Sequence, residues 1–237
     1  MYAGGEIKRF YKAVAAVEAA EGFAVALDGR PIRTPGRATL LLPNRGLARA
    51  IAEEWASQEE RVRPQDMALM SLACTAIDIV SPRRADVVAE VADFGATDLI
   101  CYRVERPEAL VERQNEVWQP LLDWAALELD APLKATSELL VQPQPAQALA
   151  ALARAVEGHD DLALAGLATA VKASGSLVIG LALSAGRLDP AAAFEAAELH
   201  ESHEIEAWGE DPEAARRRET VRRDLAAAAR LFELLGG

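Results

Sequence analysis

Glu201 is the side chain whose chemistry asks most of its surroundings. It lies in the segment Pro190 to Trp208, which opens with Asp189 as an N-cap and Pro at the first helical position and closes at Gly209. At ~100° per residue, with Phe194 taken as zero, Glu201 falls near ~−20°, Ile205 near ~+20° and Trp208 near ~−40°. The carboxylate therefore sits inside the apolar stripe of one predicted helix. An ionised acid there needs an internal arginine, or neutralisation, or a surface that another protein covers, because burying it unpaired costs several kcal/mol.

Other reactive groups converge less well. His200 and His203, with Glu201, Glu204 and Asp211 close in sequence, superficially suggest a metal cluster. On the same wheel the histidines fall near ~−120° and ~180°, away from Glu201. A closed metal site needs converging ligands, so none is expected. Lys172 with Ser174 or Ser176 could form a Ser/Lys nucleophilic pair, but at i and i+4 the hydroxyl of Ser176 is expected to answer the backbone and the amine to reach an acid or the surface. Cys74 and Cys101 lie outside any Cys-x-x-Cys spacing and read as small core residues of a reducing compartment. The chain carries no Walker-type phosphate loop, no Gly-x-Gly-x-x-Gly, no Gly-x-Ser-x-Gly and no His-Glu-x-x-His, so no cofactor is expected. Trp55, Trp118, Trp124 and Trp208 are scattered and read as core anchors rather than a stacking platform for bases.

The elements that must position these groups are legible in outline. From Tyr11 to Leu42 the pattern is short and β-like, with runs at Ala13 to Val17, Phe23 to Leu27, Pro31 to Arg33 and Thr39 to Leu42. Asp28-Gly29 between apolar runs signals a hairpin. A helix from Asn44 to Glu60 follows, with Leu47, Ile51 and Trp55 on one face. Everything after Pro64 reads helical: Met67 to Val80, Arg84 to Phe94, Glu108 to Leu129 with Pro120 expected to kink or split it, Pro145 to Glu157, a central helix from Leu162 to Leu183, Pro190 to Trp208, and Pro212 to Gly236. The expected fold class is α+β: a small N-terminal antiparallel β domain over residues 1–64, then a larger orthogonal α-helical bundle over 65–237.

Charge narrows the partners. The 237 residues carry a net charge of −12, which argues against phosphate-backbone binding. Residues 1–64 contribute +2 and the remainder −14. The stretch Leu162 to Leu183 has the length of a membrane span but holds Lys172 and is rich in Ala and Gly, so no membrane insertion is expected. Small residues recur every four positions at Gly166, Ala170 and Ser174 and at Ser176, Gly180 and Ser184, where helices can approach closely. Met1 to Phe10 has neither a secretory nor an organellar pattern, and a cytoplasmic location is expected.

Five strings, taken in order, resemble one family: Leu27-Asp28-Gly29-Arg30-Pro31-Ile32-Arg33-Thr34-Pro35, Glu54-Trp55-Ala56-Ser57-Gln58, Thr97-Asp98-Leu99-Ile100-Cys101-Tyr102-Arg103, Gln114 with Trp118-Gln119-Pro120-Leu121, and Glu201 through Trp208-Gly209. Together they are similar to the F1-ATPase assembly chaperones that bind the alpha subunit. The resemblance implies a non-enzyme, monomeric when free, that holds the unassembled alpha subunit of ATP synthase and shields its apolar interface until beta subunits replace it. It implies a bacterial, cytoplasmic member, since a mitochondrial transit peptide is not seen. It also implies that an acid in the helix preceding the Trp-Gly pair, by position Glu201 here, matters for chaperone action; the acid's place in an apolar stripe leads us to expect client contact from Glu201, Glu204, Ile205 and Trp208. Trp55, Asp98, Arg103 and Trp118 take structural roles, with Trp55 holding its helix on the sheet. Two other readings of the same residues remain: a small-molecule enzyme using Glu201 as general acid or base with Lys172 or His200, and an adaptor for a different partner.

Overall fold

The computed structural model describes residues 7–138 and 142–236; the first six residues, part of the stretch read for a targeting signal, lie outside them. The class is α+β, a small antiparallel sheet followed by helices. Two compact units form. One gathers the described residues up to 84, Asp161–Ala165 and those from 230 onward; the other comprises Ala85–Asp160 and Gly166–Ala229. Each is thus assembled from separate stretches rather than from 1–64 and 65–237.

The strands are β1 (Ile7–Lys8), β2 (Val14–Ala19), β3 (Gly22–Leu27), β4 (Arg30–Pro31) and β5 (Arg61–Val62). β2, β3 and β4 make an antiparallel sheet in that order, and β1 pairs with β5. The β3 to β4 hairpin turns at Asp28 and Gly29, both with positive φ (49° and 79°), the backbone that a two-residue turn of this hand requires. Asp28 repays its strained position by accepting the Lys12 and Ala13 amides, which hold its carboxyl below the usual range. Thr39 to Leu42 is not a strand. It makes only single bridges, Thr39 to Arg33 and Leu42 to Phe23.

Helix α1 (Arg45–Ala56) packs on β2 and β3 and buries Leu47 and Ile51. Its N-cap, Asn44, accepts the Leu47 amide over 2.8 Å and donates to the Leu234 carbonyl over 2.7 Å. Tyr11 donates its hydroxyl to the Trp55 carbonyl over 2.7 Å, and the two rings meet edge to face. Helix α2 (Ala68–Thr75) has no cap of its own. Glu54 of α1 supplies one, accepting the Leu69 and Met70 amides over 2.7 and 2.8 Å, while burial raises its pKa. The helical path continues to Val80 through a widened turn, and α3 (Arg84–Ala92) follows.

Helix α4 (Glu108–Glu128) runs through Pro120 without splitting. Pro120 and Glu116, whose carbonyl loses its helical partner there, both lie on the exposed face, where the missing bond is least costly. Beyond α5 (Ala146–Glu157), the expected central helix is two: α6 (Asp161–Ser174) and α7 (Leu177–Ser184). Gly175 ends the first at φ 69°, and Ser176 caps the second by accepting the Ile179 amide over 3.0 Å. The two fold against each other at Gly180, where a Cβ would stand 2.5 Å from Val171 Cγ2. Every residue from Leu177 to Leu183 is buried. No helix among the described residues is long and apolar enough to cross a membrane.

The last segments are α8 (Pro190–Ala197), α9 (Leu199–Trp208) and α10 (Pro212–Gly236). The single helix expected from Pro190 to Trp208 is broken at Glu198, whose φ and ψ of −104° and 21° leave the helical region. The continuous apolar stripe from Phe194 to Trp208 therefore does not exist. Helix α10 buries Val221, Leu225 and Ala228, and Leu231 is buried in turn within the sheet-bearing unit.

Candidate functional site

Helix α9 presents two opposed faces. Taking Leu199 as zero at ~100° per residue, Ser202, His203 and Glu206 fall within about 60° of it, whereas Glu201, Glu204, Ile205 and Trp208 centre near ~180°. The first face is anchored. Leu199 is buried, Ser202 accepts from Arg218 over 3.1 Å, and Glu206 takes a two-pronged hydrogen bond from Arg113 of α4. That pairing lowers the pKa of Glu206 and raises that of Arg113.

The opposite face is open. Trp208 is 89% exposed, so it is not a core anchor, and Glu204 is exposed beside it. Ile205 is half-buried. Glu201 is partly open, its side chain 34% accessible, and it meets Arg217 only at 3.7 Å. The buried acid of this region is instead Glu198, 4% exposed, which accepts from Arg217 over 2.8 and 2.6 Å and from Arg218 over 3.2 Å. The wheel drawn through an unbroken helix put the wrong glutamate indoors.

Of the residues read as structural, Trp118 and Arg103 gather by α9, Asp98 caps α7, and Trp55 belongs to α1. Trp118, 1% exposed, donates its indole N–H to the Ala196 carbonyl over 2.8 Å and packs its ring 5.0 Å from that of His200. Gln114, also buried, accepts the Val104 amide over 3.0 Å and sets its amide nitrogen against His200 Nε2. Arg103 donates to the Gln114 carbonyl over 2.7 Å and lies over the Trp118 ring, while its Nε and Nη2 are buried without a hydrogen-bond partner among the described residues. Burial lowers its pKa. Asp98, fully buried, accepts the Ile100 amide over 3.2 Å and the Val178 amide over 3.0 Å, capping a short 3-10 turn and α7 together. Burial raises its pKa to about 6 against the pull of those donors.

A reactive constellation is not what these groups form. His200 faces Gln114 rather than Glu201, and burial first of all lowers its pKa, which favours the neutral ring. His159 sits between the Ala155 carbonyl and the Ser184 hydroxyl, at 2.9 and 2.7 Å. Lys172 borders an open groove with Thr169, Arg217 and Asp224. Burial pushes the Cys74 and Cys101 thiols up to about 11 and about 12, so neither is a reactive thiolate. No group of His, Cys, Asp and Glu among the described residues could hold a metal ion.

The fold and site thus define an α+β protein in which, among the described residues, the most accessible large apolar side chain stands on an acid-bearing helix, tied down from behind. A sequence profile described as ATP12 chaperone protein matches residues 8–126. The crystal structure of Atp12 from Paracoccus denitrificans superimposes with a TM-score of 0.91 at 40% identity over 96% of this chain and 98% of that one. An aspartate-to-lysine mutant of the P. denitrificans protein gives 0.91 and 40% over 97% and 99%. A structure from Agrobacterium tumefaciens gives 0.92 at 39% identity over 96% of this chain and 86% of the other. The chain belongs to the ATP12 chaperone family, and with it to the chaperones of ATP synthase assembly.

Proposed function

We propose that this chaperone binds the unassembled alpha subunit of the F1 sector through the outer face of α9, with Trp208 as apolar anchor and Glu201 and Glu204 fixing register through charge. The observation that carries the reading is Trp208, 89% exposed on a helix whose other face is held by buried Leu199 and by Arg218. Tryptophan is among the residues that most often carry the binding energy of an interface, and here it stands beside two carboxylates on the same helix face. A subunit awaiting its neighbours exposes apolar surface that aggregates unless covered. Since the chain carries no nucleotide-binding motif, holding is stoichiometric, and release follows when assembling subunits compete for the same surface.

The test is co-purification of the alpha subunit with Trp208→Ala and Glu201→Gln proteins shown to stay folded. Loss of alpha binding and of protection from aggregation is expected for Trp208→Ala, and a smaller loss for Glu201→Gln. Undiminished binding and protection in both would remove α9 from the client interface.

A further inference from the structure

The geometry points to Arg217 and Arg218 as positioning residues that hold α9 at its angle by clamping Glu198; the role rests on the reading of α9 as the client-facing helix. Nothing in the local sequence at Ala197-Glu198-Leu199 is a helix breaker, yet the backbone leaves the helical region at Glu198. The break must therefore be held from outside. Both carboxylate oxygens of Glu198 are taken by α10: Oε1 by Arg217 over 2.8 Å, Oε2 by Arg217 over 2.6 Å and by Arg218 over 3.2 Å. A carboxylate this deeply buried has no alternative partner of comparable quality, so displacing α9 would strand a charge.

Arg218 extends the hold along the helix. It is only 14% exposed, and besides Glu198 it reaches the Ser202 hydroxyl over 3.1 Å and Glu210 over 3.2 Å. One guanidinium thus grips α9 at its start, within its first turn and just past its end. The same group lies over the Phe194 ring of α8, with Arg222 stacked on that ring at 3.9 Å. The angle between α8 and α9 is consequently set by α10. By contrast Arg113 and Glu206 form a solvent-exposed pair, which contributes little to holding a helix.

Amide hydrogen exchange on the free chaperone reads the clamp directly, and retention of purified alpha subunit reads its consequence. For Glu198→Gln and Arg218→Met, exchange across residues 199–208 should rise at least tenfold while residues 177–183 keep their protection, and alpha retention should fall in step. Arg218→Lys should recover most of both, because a second cation is restored beside Glu198 in addition to Arg217. Arg223→Met, which removes an exposed guanidinium paired with Asp224 and touching neither Glu198 nor Phe194, should change neither. Unaltered exchange at 199–208, or a rise spread equally over all helices, overturns the clamp. A local rise with full alpha retention overturns its positioning role, and the Trp208→Ala result then separates the failures. If Trp208→Ala still weakens retention, the docking face stands without the clamp; if it does not, the docking reading has failed as well.

Discussion

Asp98 accepts the Val178 amide hydrogen, eighty positions away, over 3.0 Å while its other oxygen receives Ile100, so one carboxylate starts two helical segments. The burial of this acid raises its pKa from 3.8 to about 6. A group whose pKa is higher folded than unfolded adds stability that is complete below the unfolded value and lost as pH rises through the folded one. Relative to Asp98→Asn, the wild-type protein should therefore lose up to about 3 kcal/mol between pH 4 and pH 7. Urea unfolding of both proteins at several pH values checks this; parallel profiles would show that the acid does not titrate in that window.

His200 acts in the opposite sense. Its pKa is lowered by burial, so its contribution is present above pH 6.5 and is lost as pH falls through the folded value. Acidification should loosen the packing of α9 on Trp118 first. Tryptophan emission or exchange at 199–208 between pH 7 and pH 5 should report it, and His200→Asn should flatten the response.

Trp118 holds the Ala196 carbonyl at 2.8 Å from within the core. Trp118→Phe keeps much of the volume but leaves that oxygen short of a donor, a loss of about 1–3 kcal/mol. Trp118→Ala should cost about 3–5 kcal/mol. Chemical denaturation measures both, and equal stability of Trp118→Phe and wild type would mean that water replaces the indole.

Gly180→Ala should destabilise despite the better helix former. The added Cβ would lie 2.5 Å from Val171 Cγ2 and 3.2 Å from Leu167 Cδ1, overpacking worth about 1–3 kcal/mol against a propensity gain of about 1 kcal/mol. A midpoint in urea at or above wild type would show that α6 yields easily.

Trp208→Ala should separate binding from folding. Removing an exposed side chain changes stability by about 0.5 kcal/mol or less, whereas losing an aromatic anchor weakens an interface by about 2 kcal/mol or more. Thermal melting and alpha-subunit titration on the same preparation give the two numbers.

How far the sequence could be read depended on the range of the forces involved. Asp28-Gly29 announced its hairpin because turn chemistry is local, and α10 announced its ends. The α6 to α7 break was also written locally, in Gly175 followed by the cap Ser176, but the four-residue rhythm of small residues ran through it and masked it. The break at Glu198 had no local signal at all. It depends on arginines 19 and 20 positions later, and this turned an inferred apolar stripe with Glu201 at its centre into a clamped Glu198 and a half-open Glu201. Glu54 as the cap of α2 was hidden for the same reason, since a helix start 15 positions away is visible only in three dimensions. The four α9 residues singled out do share one face, because that spacing holds within α9 alone.

Asn44 at the head of α1 bonds to Leu234, and Leu231 fills the sheet-bearing unit's interior, so that unit draws on both extremes of the numbering. On the ribosome, where translation proceeds from low numbers to high, the β-strands emerge early but wait for residues 230–236 before their packing is complete. An assembly factor thus has a sheet whose packing is completed by residues made 190 positions after the head of its first helix.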